Sequence, residues 1–222
     1  SIVNAVMWGR SLYRNIQRFL FFQLIVNVTA LLLVLGGSFA GTELPLTVTQ
    51  ILWVNLIMDT FAALALASLP PSKEVMADKP RRLSDFIITR GMAKGIAGVG
   101  FVFFIILFAM LIWFKQSAGG IDRIDLSVFF TTFVMIQFWN LLNAKTYASE
   151  ASAFKNLLSD KGLLMVLAII IAGQWIIVTF GGDMFRTCPL PLMTWVQIIV
   201  GTSIVFWAGE IYRFIARRIC KK

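Results

Sequence analysis

Six long apolar runs, separated by short polar segments, dominate the hydrophobic pattern of the chain. Each run approaches the roughly 20 apolar residues that a helix needs to cross the hydrocarbon core of a bilayer. Glycine pairs and prolines mark most of the boundaries between runs. The pattern therefore predicts an all-α fold, a polytopic membrane bundle of six transmembrane helices, at about 19–39, 46–69, 96–114, 126–142, 162–180 and 192–212.

The segment before the first run also has a helical period. Residues 1–18 place apolar side chains on one face and a basic stripe of Arg10, Arg14 and Arg18 on another. Neither a glycine pair nor a proline separates this segment from the first run, so we predict one long helix that continues from a cytoplasmic stalk into the bilayer. The alternative is an interfacial helix lying flat, with its arginines on lipid head groups. Because the chain begins with Ser1 rather than Met, we expect it to be a piece of a larger protein.

The composition agrees with a membrane protein and excludes most soluble classes. The chain is 59% hydrophobic and only 14% charged, whereas an ordinary soluble domain carries roughly 25% charged residues. A net charge of +9 could indicate nucleic-acid binding, but 17 of the 20 Lys and Arg residues fall in loops on one side of the six runs. That asymmetry is the positive-inside pattern. We predict an integral multi-pass protein of the cell membrane (plasma or inner), with both termini cytoplasmic, a bilayer as its surroundings and no nucleic-acid partner.

These patterns divide the chain into a stalk helix at 1–18, a membrane domain at 19–212 and a basic cytoplasmic tail at 213–222. The longest cytoplasmic loop, 70–90, contains prolines and basic residues. It is either a solvated loop near anionic lipid or a contact for a cytoplasmic domain outside this chain. Cys188 and Cys220 fall on opposite sides of the membrane, so we predict two free thiols. Four glycines begin the third run and predict close helix packing there: Gly91, Gly95, Gly98 and Gly100.

One acidic residue lies at membrane depth. Ten of the 11 Asp and Glu residues fall in loops or at the ends of runs, whereas Asp59 is near the centre of the second run. An acid in the middle of a bilayer is costly and marks a functional site by default. Asn55 precedes it by four residues, which on an α-helix is the same face. The alternative for Asp59 is a buried acid that is protonated or hydrogen-bonded for packing.

Other amide side chains at membrane depth could add oxygen ligands. The first run holds Gln23 and Asn27, one turn apart, and the fourth holds Gln137 and Asn140. The chain has no His and its apolar runs hold no Cys, so the donors favour a hard cation over a soft transition metal. The amides could instead only bridge helices. Calcium takes about 6–8 oxygen ligands, so an ion site here needs another helix from outside this chain.

Two long segments carry a resemblance to a known family. The strings SIVNAVMWGRSLYRNIQRFLFFQLIVNV and LWVNLIMDTFAALALASLPP resemble the C-terminal six-helix membrane part, helices five to ten, of P-type calcium-transporting ATPases of the plasma-membrane type. The resemblance implies that the first helix follows a phosphorylation domain through a stalk. It also implies that Asn55 and Asp59 are calcium ligands in an N-x-x-x-D motif and that Asn27 is the fifth-helix asparagine.

Departures from the two-site endoplasmic reticulum pumps refine that implication. Ala30 stands where those pumps have a glutamate, Met58 where they have a threonine, and Gln137 where they have an acidic residue. All three positions belong to the same one of the two sites. The resemblance thus implies one calcium ion per cycle, bound by Asp59, Asn55 and Asn27, with Gln137 left from the lost site.

Motifs that the family needs for ATP hydrolysis do not occur in this sequence. There is no D-K-T-G-T, no T-G-E and no proline–glutamate motif of the fourth helix. The expected partners are therefore helices one to four and the actuator, phosphorylation and nucleotide domains, through which ATP and Mg²⁺ would act. We expect the 222-residue chain alone to be inactive, with Ca²⁺ as the transported ion of the whole pump. The alternatives are a pump of the same class for Mn²⁺, H⁺ or a monovalent cation, and a self-contained membrane channel or scaffold.

Overall fold

The computed structural model describes residues 1–41, 46–77, 86–116, 121–149, 152–154, 157 and 160–219, and the part of the chain it describes is helical with no strand. Six helices are long and apolar enough to cross a membrane, which confirms the predicted all-α membrane bundle. The first, third, fourth and fifth spans are single helices: α1 (Ile2–Phe39), α4 (Arg90–Gln116), α5 (Arg123–Lys145) and α6 (Lys161–Phe180).

The second and sixth spans are each built from consecutive pieces. The second contains α2 (Val48–Leu52), a π-helical turn (Trp53–Met58) and α3 (Asp59–Ala67). The sixth contains α8 (Leu192–Thr202) and α9 (Ile204–Ile219). Two short helices lie in loops: a 3₁₀ turn (Lys73–Ala77) and α7 (Gly182–Phe185).

The first span is one uninterrupted helix of 38 residues. At 1.5 Å per residue it is about 57 Å long, whereas the hydrocarbon core of a bilayer is about 30 Å thick. The predicted continuity from the lead-in segment into the first span is confirmed. A separate interfacial helix at 1–18 would require a break that α1 lacks.

Small residues let α1 and α4 pack closely. A Cβ atom added to Gly100 would lie 2.9 Å from Cγ1 of Val28, and one added to Gly95 would lie 3.2 Å from a phenylalanine ring of α1. The hydroxyl of Thr29 also donates to the carbonyl of Gly100 at 3.3 Å. The packing prediction is confirmed for these two glycines, but Gly91 and Gly98 face open space.

The N-terminal part of α1, the predicted stalk, holds the main chain of the loop that follows the second span. Nη1 of Arg10 donates to the carbonyl of Val75 at 3.2 Å, and the hydroxyl of Ser11 accepts from the amide of Ser72 at 3.2 Å. Neither interpretation of the loop at 70–90 foresaw this contact, because it joins residues more than 60 positions apart. Residues 78–85 of that loop lie outside the described residues.

The fourth span, α5, is the most enclosed of the six, and it contacts α1, α4, α6, α8 and α9. At its C-terminal end, Nδ2 of Asn143 donates to the carbonyl of Val205 at 2.9 Å. Arg213 donates to Oδ1 of Asn143 at 3.0 Å and to Glu210 at 2.8 Å. The helix α9 runs on to Ile219, so the beginning of the predicted tail at 213–222 is helical. Cys220 lies outside the described residues.

Candidate ion site in the membrane

Asp59 is the centre of the candidate site. It is the first residue of α3 and only 3% of its surface is exposed. Neither carboxylate oxygen has a hydrogen-bond partner within the described part of the chain. The side chain of Gln23 in α1 lies beside this carboxylate, although outside hydrogen-bonding geometry. A carboxylate in these surroundings is costly unless a cation or a proton compensates its charge.

A π-helical turn sets the orientation of Asp59. Its amide donates to the carbonyl of Val54, five residues earlier, rather than to the residue four positions back as in an α-helix. Val54 is buried, whereas Asn55 is exposed. The expectation that Asn55 and Asp59 share one face assumed an α-helical register, and the wider turn replaces Asn55 by Val54 on the buried side. Turns of this kind are frequent at functional sites.

Asn55 instead belongs to an exposed row along the second span. The row has helical spacing and is otherwise mostly apolar; it comprises Leu52, Asn55, Leu56, Thr60 and Leu64. It borders the turn that carries Asp59, so a helix covering this row would bring its own side chains close to Asn55. Whether Asn55 is a ligand stays a prediction.

The other predicted ligands lie on α1 and α5. Asn27 is half-buried, one turn after Gln23 on the helix that packs against α3. Gln137 is fully buried, and its Oε1 accepts from Nδ2 of Asn140 at 3.3 Å. This bond fits the alternative in which the amides of α5 serve packing, although Nε2 of Gln137 has no partner among the described residues. The ligand roles of Asn27 and Gln137 stay predictions.

The donor count agrees with an incomplete site. Over the described ranges, no group of three or more His, Cys, Asp or Glu side chains could hold a metal ion. One carboxylate with neutral amides falls short of the oxygen shell that calcium takes.

Sequence reasoning passed over three further polar groups at membrane depth. Gln174 in α6, Thr131 in α5 and the indole nitrogen of Trp53 are buried, and their polar side-chain atoms have no hydrogen-bond partner in the described structure. Of the three, only Gln174 is marked in the sequence, because it is a single amide in the apolar run LLMVLAIIIAGQWIIVTF.

Comparison with known proteins gives one family and several relatives. The family model described as "Cation transporting ATPase, C-terminus" matches residues 43–215. Plasma membrane calcium-transporting ATPase 2 of Oreochromis mossambicus is 37% identical over 95% of this chain and 20% of its own length. Plasma membrane calcium-transporting ATPase 3 of Homo sapiens and the Caenorhabditis elegans enzyme mca-1 are each 36% identical over 95% of this chain and 18% of their own lengths. The chain spans about a fifth of the length of these relatives.

Proposed function

The chain belongs to the family of C-terminal membrane domains of cation-transporting ATPases, and we propose that it is the ion-translocating part of an ATP-driven calcium pump of the plasma membrane. In this proposal Asp59 supplies the charge of a single calcium site, and Asn55 and Asn27 supply neutral oxygens. The calcium ion is the transported substrate. The relatives are plasma membrane calcium-transporting ATPases, which supports calcium as the ion and the plasma membrane as the location.

The observation that carries the proposal is the environment of Asp59. A carboxylate that is 3% exposed and has no hydrogen-bond partner in the described structure has both oxygens available to a cation. Carboxylate and amide oxygens are the donors that hard divalent cations prefer. A carboxylate kept only for packing would be expected to accept hydrogen bonds.

The remainder of the pump would complete the site. The exposed row that includes Asn55 offers an uncovered face beside Asp59. We expect helices one to four to cover this row and to bring at least one more carboxylate. On its own the chain would then neither bind calcium tightly nor hydrolyse ATP, because its sequence lacks the phosphorylation and nucleotide motifs.

The stalk would couple ATP hydrolysis to the ion site. The helix α1 passes from the stalk to Gln23 beside Asp59 without interruption. Its Asn15 also donates to the carbonyl of Leu69, just beyond the end of α3, at 3.0 Å. Phosphorylation of a domain joined to the stalk would therefore move α1 and α3 together. ATP and Mg²⁺ act only through those other domains.

Transport by the full-length pump tests the proposal. In sealed vesicles, we expect ATP to drive calcium uptake that excess Mn²⁺, H⁺ or monovalent cations do not replace as substrate. ATP-driven uptake of one of those ions without calcium uptake would show a pump of the same class with another substrate. Ion flux through the isolated 222-residue chain without ATP would contradict the proposal and would indicate a channel.

A further inference from the structure

A groove of about 330 Å³ lies between α4, α5 and the sixth span. The helix α5 packs against α4 on one side and against α8 and α9 on the other. Among the lining residues, Ile136 and Ile198 are buried, whereas Ile106 and Ile204 are exposed at the rim. Because these helices are membrane spans, the groove opens sideways toward the hydrocarbon of the bilayer rather than toward water.

The walls of the groove are stiff. Nine of its twelve lining residues are Ile, Val or Thr, whose branched Cβ atoms leave only one or two favoured χ1 rotamers in a helix. The groove therefore keeps its shape without an occupant. A rigid ligand loses little conformational entropy in such a groove, whereas a flexible acyl chain must give up its rotamers.

Two polar side chains lie at one end of this apolar groove. Thr194 and Gln197 are one turn apart near the beginning of α8, the end that the charge pattern predicts to be external. Neither side chain is hydrogen-bonded to another residue that the structure describes. The hydroxyl of Thr202, further along the groove, accepts from the indole of Trp139 at 3.1 Å. An amide without a partner is costly in a bilayer, so Gln197 favours an occupant with a polar group at this end.

Gly201 keeps the middle of the groove open. It lies one turn after Gln197 on α8, and a Cβ atom added to it would meet nothing within 4 Å. Close packing of helices is the common reason for a glycine in a membrane span, but no neighbour in the described structure uses this one. A flat ligand could lie directly against the backbone here. From Thr194 to Val205 the groove follows the sixth span for about 16 Å.

A sterol combines the properties that the groove selects, because it is a rigid, flat and apolar ring system with one hydroxyl group at its end. We propose that the groove binds a membrane sterol, with the rings against Gly201 and the hydroxyl hydrogen-bonded to Gln197 and Thr194. A volume of about 330 Å³ is that of a small-ligand site. A spanning helix, about 30 Å long and about 10 Å wide, needs several times that volume.

The sterol site is separate from the candidate ion site. Its lining residues lie on α4, α5, α8 and α9, whereas the exposed row that includes Asn55 lies on the second span. Helices one to four can therefore cover that row and leave the groove open to lipid. The inference rests on the proposed function only for the location, because the plasma membrane is rich in sterol.

Photolabelling of the full-length pump in phosphatidylcholine vesicles tests the site. The probe is a sterol that keeps its hydroxyl group and carries a diazirine, and mass spectrometry locates the labelled peptides. We expect label in α8 that excess unlabelled sterol suppresses. A sterol without the hydroxyl group should compete about 3- to 10-fold less well, the value of one hydrogen bond. Gln197→Leu should make the two competitors equal. A hydroxyl preference that survives in Gln197→Leu would overturn the inference.

Filling the groove gives a second test with a matched control. Gly201→Leu should abolish the label in α8, and its Cβ atom meets no protein atom that would disturb the fold. Gly98→Leu, at an equally open position of α4 outside the groove, should leave the label unchanged. Label that persists in Gly201→Leu would overturn the inference. So would equal labelling of α8 by a phosphatidylcholine with a photoreactive acyl chain that sterol does not displace, because that result would indicate an ordinary lipid chain.

The site and the proposed function can fail separately, because sterol labelling does not depend on which ion is pumped. ATP-driven calcium uptake by a pump whose α8 takes no label would overturn the sterol site alone. Displaceable labelling of α8 in a pump that transports another ion would support the sterol site and contradict only the proposed function.

Discussion

The side-chain amide of Asn15 donates to the main-chain carbonyl of Leu69 at 3.0 Å. The bond is buried and joins the N-terminal half of α1 to the C-terminal end of the span that carries Asp59. The same amide lies 3.4 Å from the carbonyl of Ala67. An axial movement of the stalk therefore reaches α3 through a direct contact.

Asn15→Ala should destabilise the full-length pump and slow its turnover. The change leaves the buried carbonyl of Leu69 without its donor, which costs about 1–3 kcal/mol of unfolding free energy. Unfolding free energy and ATP turnover at saturating calcium measure the effect. Asn4→Ala, at an exposed position of the same helix, is the matched control. Equal behaviour of the two variants would contradict a coupling role for Asn15.

Gly173→Ala should destabilise the bundle, whereas Gly98→Ala should not. The added methyl group at position 173 collides with the indole of Trp53, while the one at 98 meets open space. Overpacking costs about 1–3 kcal/mol, and an alanine in an open helical position stabilises by about 0.5–1 kcal/mol relative to glycine. A decrease of the unfolding free energy with Gly173→Ala and an increase with Gly98→Ala would confirm the close approach of α6 to the second span. Destabilisation by both variants would refute it.

Two ion pairs of similar length should differ sharply in strength. Lys145 and Asp160 are 2.5 Å apart with side chains 9% and 11% exposed. Arg123 and Asp183 are 2.6 Å apart but largely exposed. Lys145→Met should lower the unfolding free energy by about 3–5 kcal/mol, because it removes the ion-pair partner of a largely buried carboxylate. Arg123→Met should change it by about 0–1 kcal/mol. Equal effects of the two variants would show that burial does not decide the strength of these pairs.

Three amide positions test the composition of the proposed calcium site. Asn55→Ala and Asn27→Ala should each weaken the apparent calcium affinity of the full-length pump by about 10-fold, the equivalent of about 1.4 kcal/mol. Gln137→Ala should leave it nearly unchanged. Calcium dependence of phosphorylation by ATP gives the affinities. A loss with Gln137→Ala equal to that with Asn55→Ala would place Gln137 in the site.

Much of the fold could be predicted because local sequence determines it. Apolar runs of the length of a bilayer define the six spans, and the absence of a breaker near Arg18 predicts the continuous α1. Asp59 could also be found from sequence, because a single acid at membrane depth needs no knowledge of its neighbours.

Features that depend on contacts between distant segments could not be predicted. The π-helical turn before Asp59 changes which side chain lies beneath it, and no local pattern marks that turn. The docking of Val75 on Arg10 joins a loop to a helix far away in sequence. In the sequence, Gln174 is one amide in an apolar run. Only the structure shows that its amide is buried and has no hydrogen-bond partner among the described residues.

Calcium-dependent phosphorylation of the full-length pump by ATP tests the central claim most directly. Asp59→Asn keeps the size of the side chain and removes its charge, and Asp183→Asn is the control at an exposed acid outside the site. We predict that Asp59→Asn inserts into the membrane and forms no phosphoenzyme at calcium concentrations that saturate the control. Normal phosphoenzyme formation by Asp59→Asn at those concentrations would contradict the assignment of Asp59 to the calcium site.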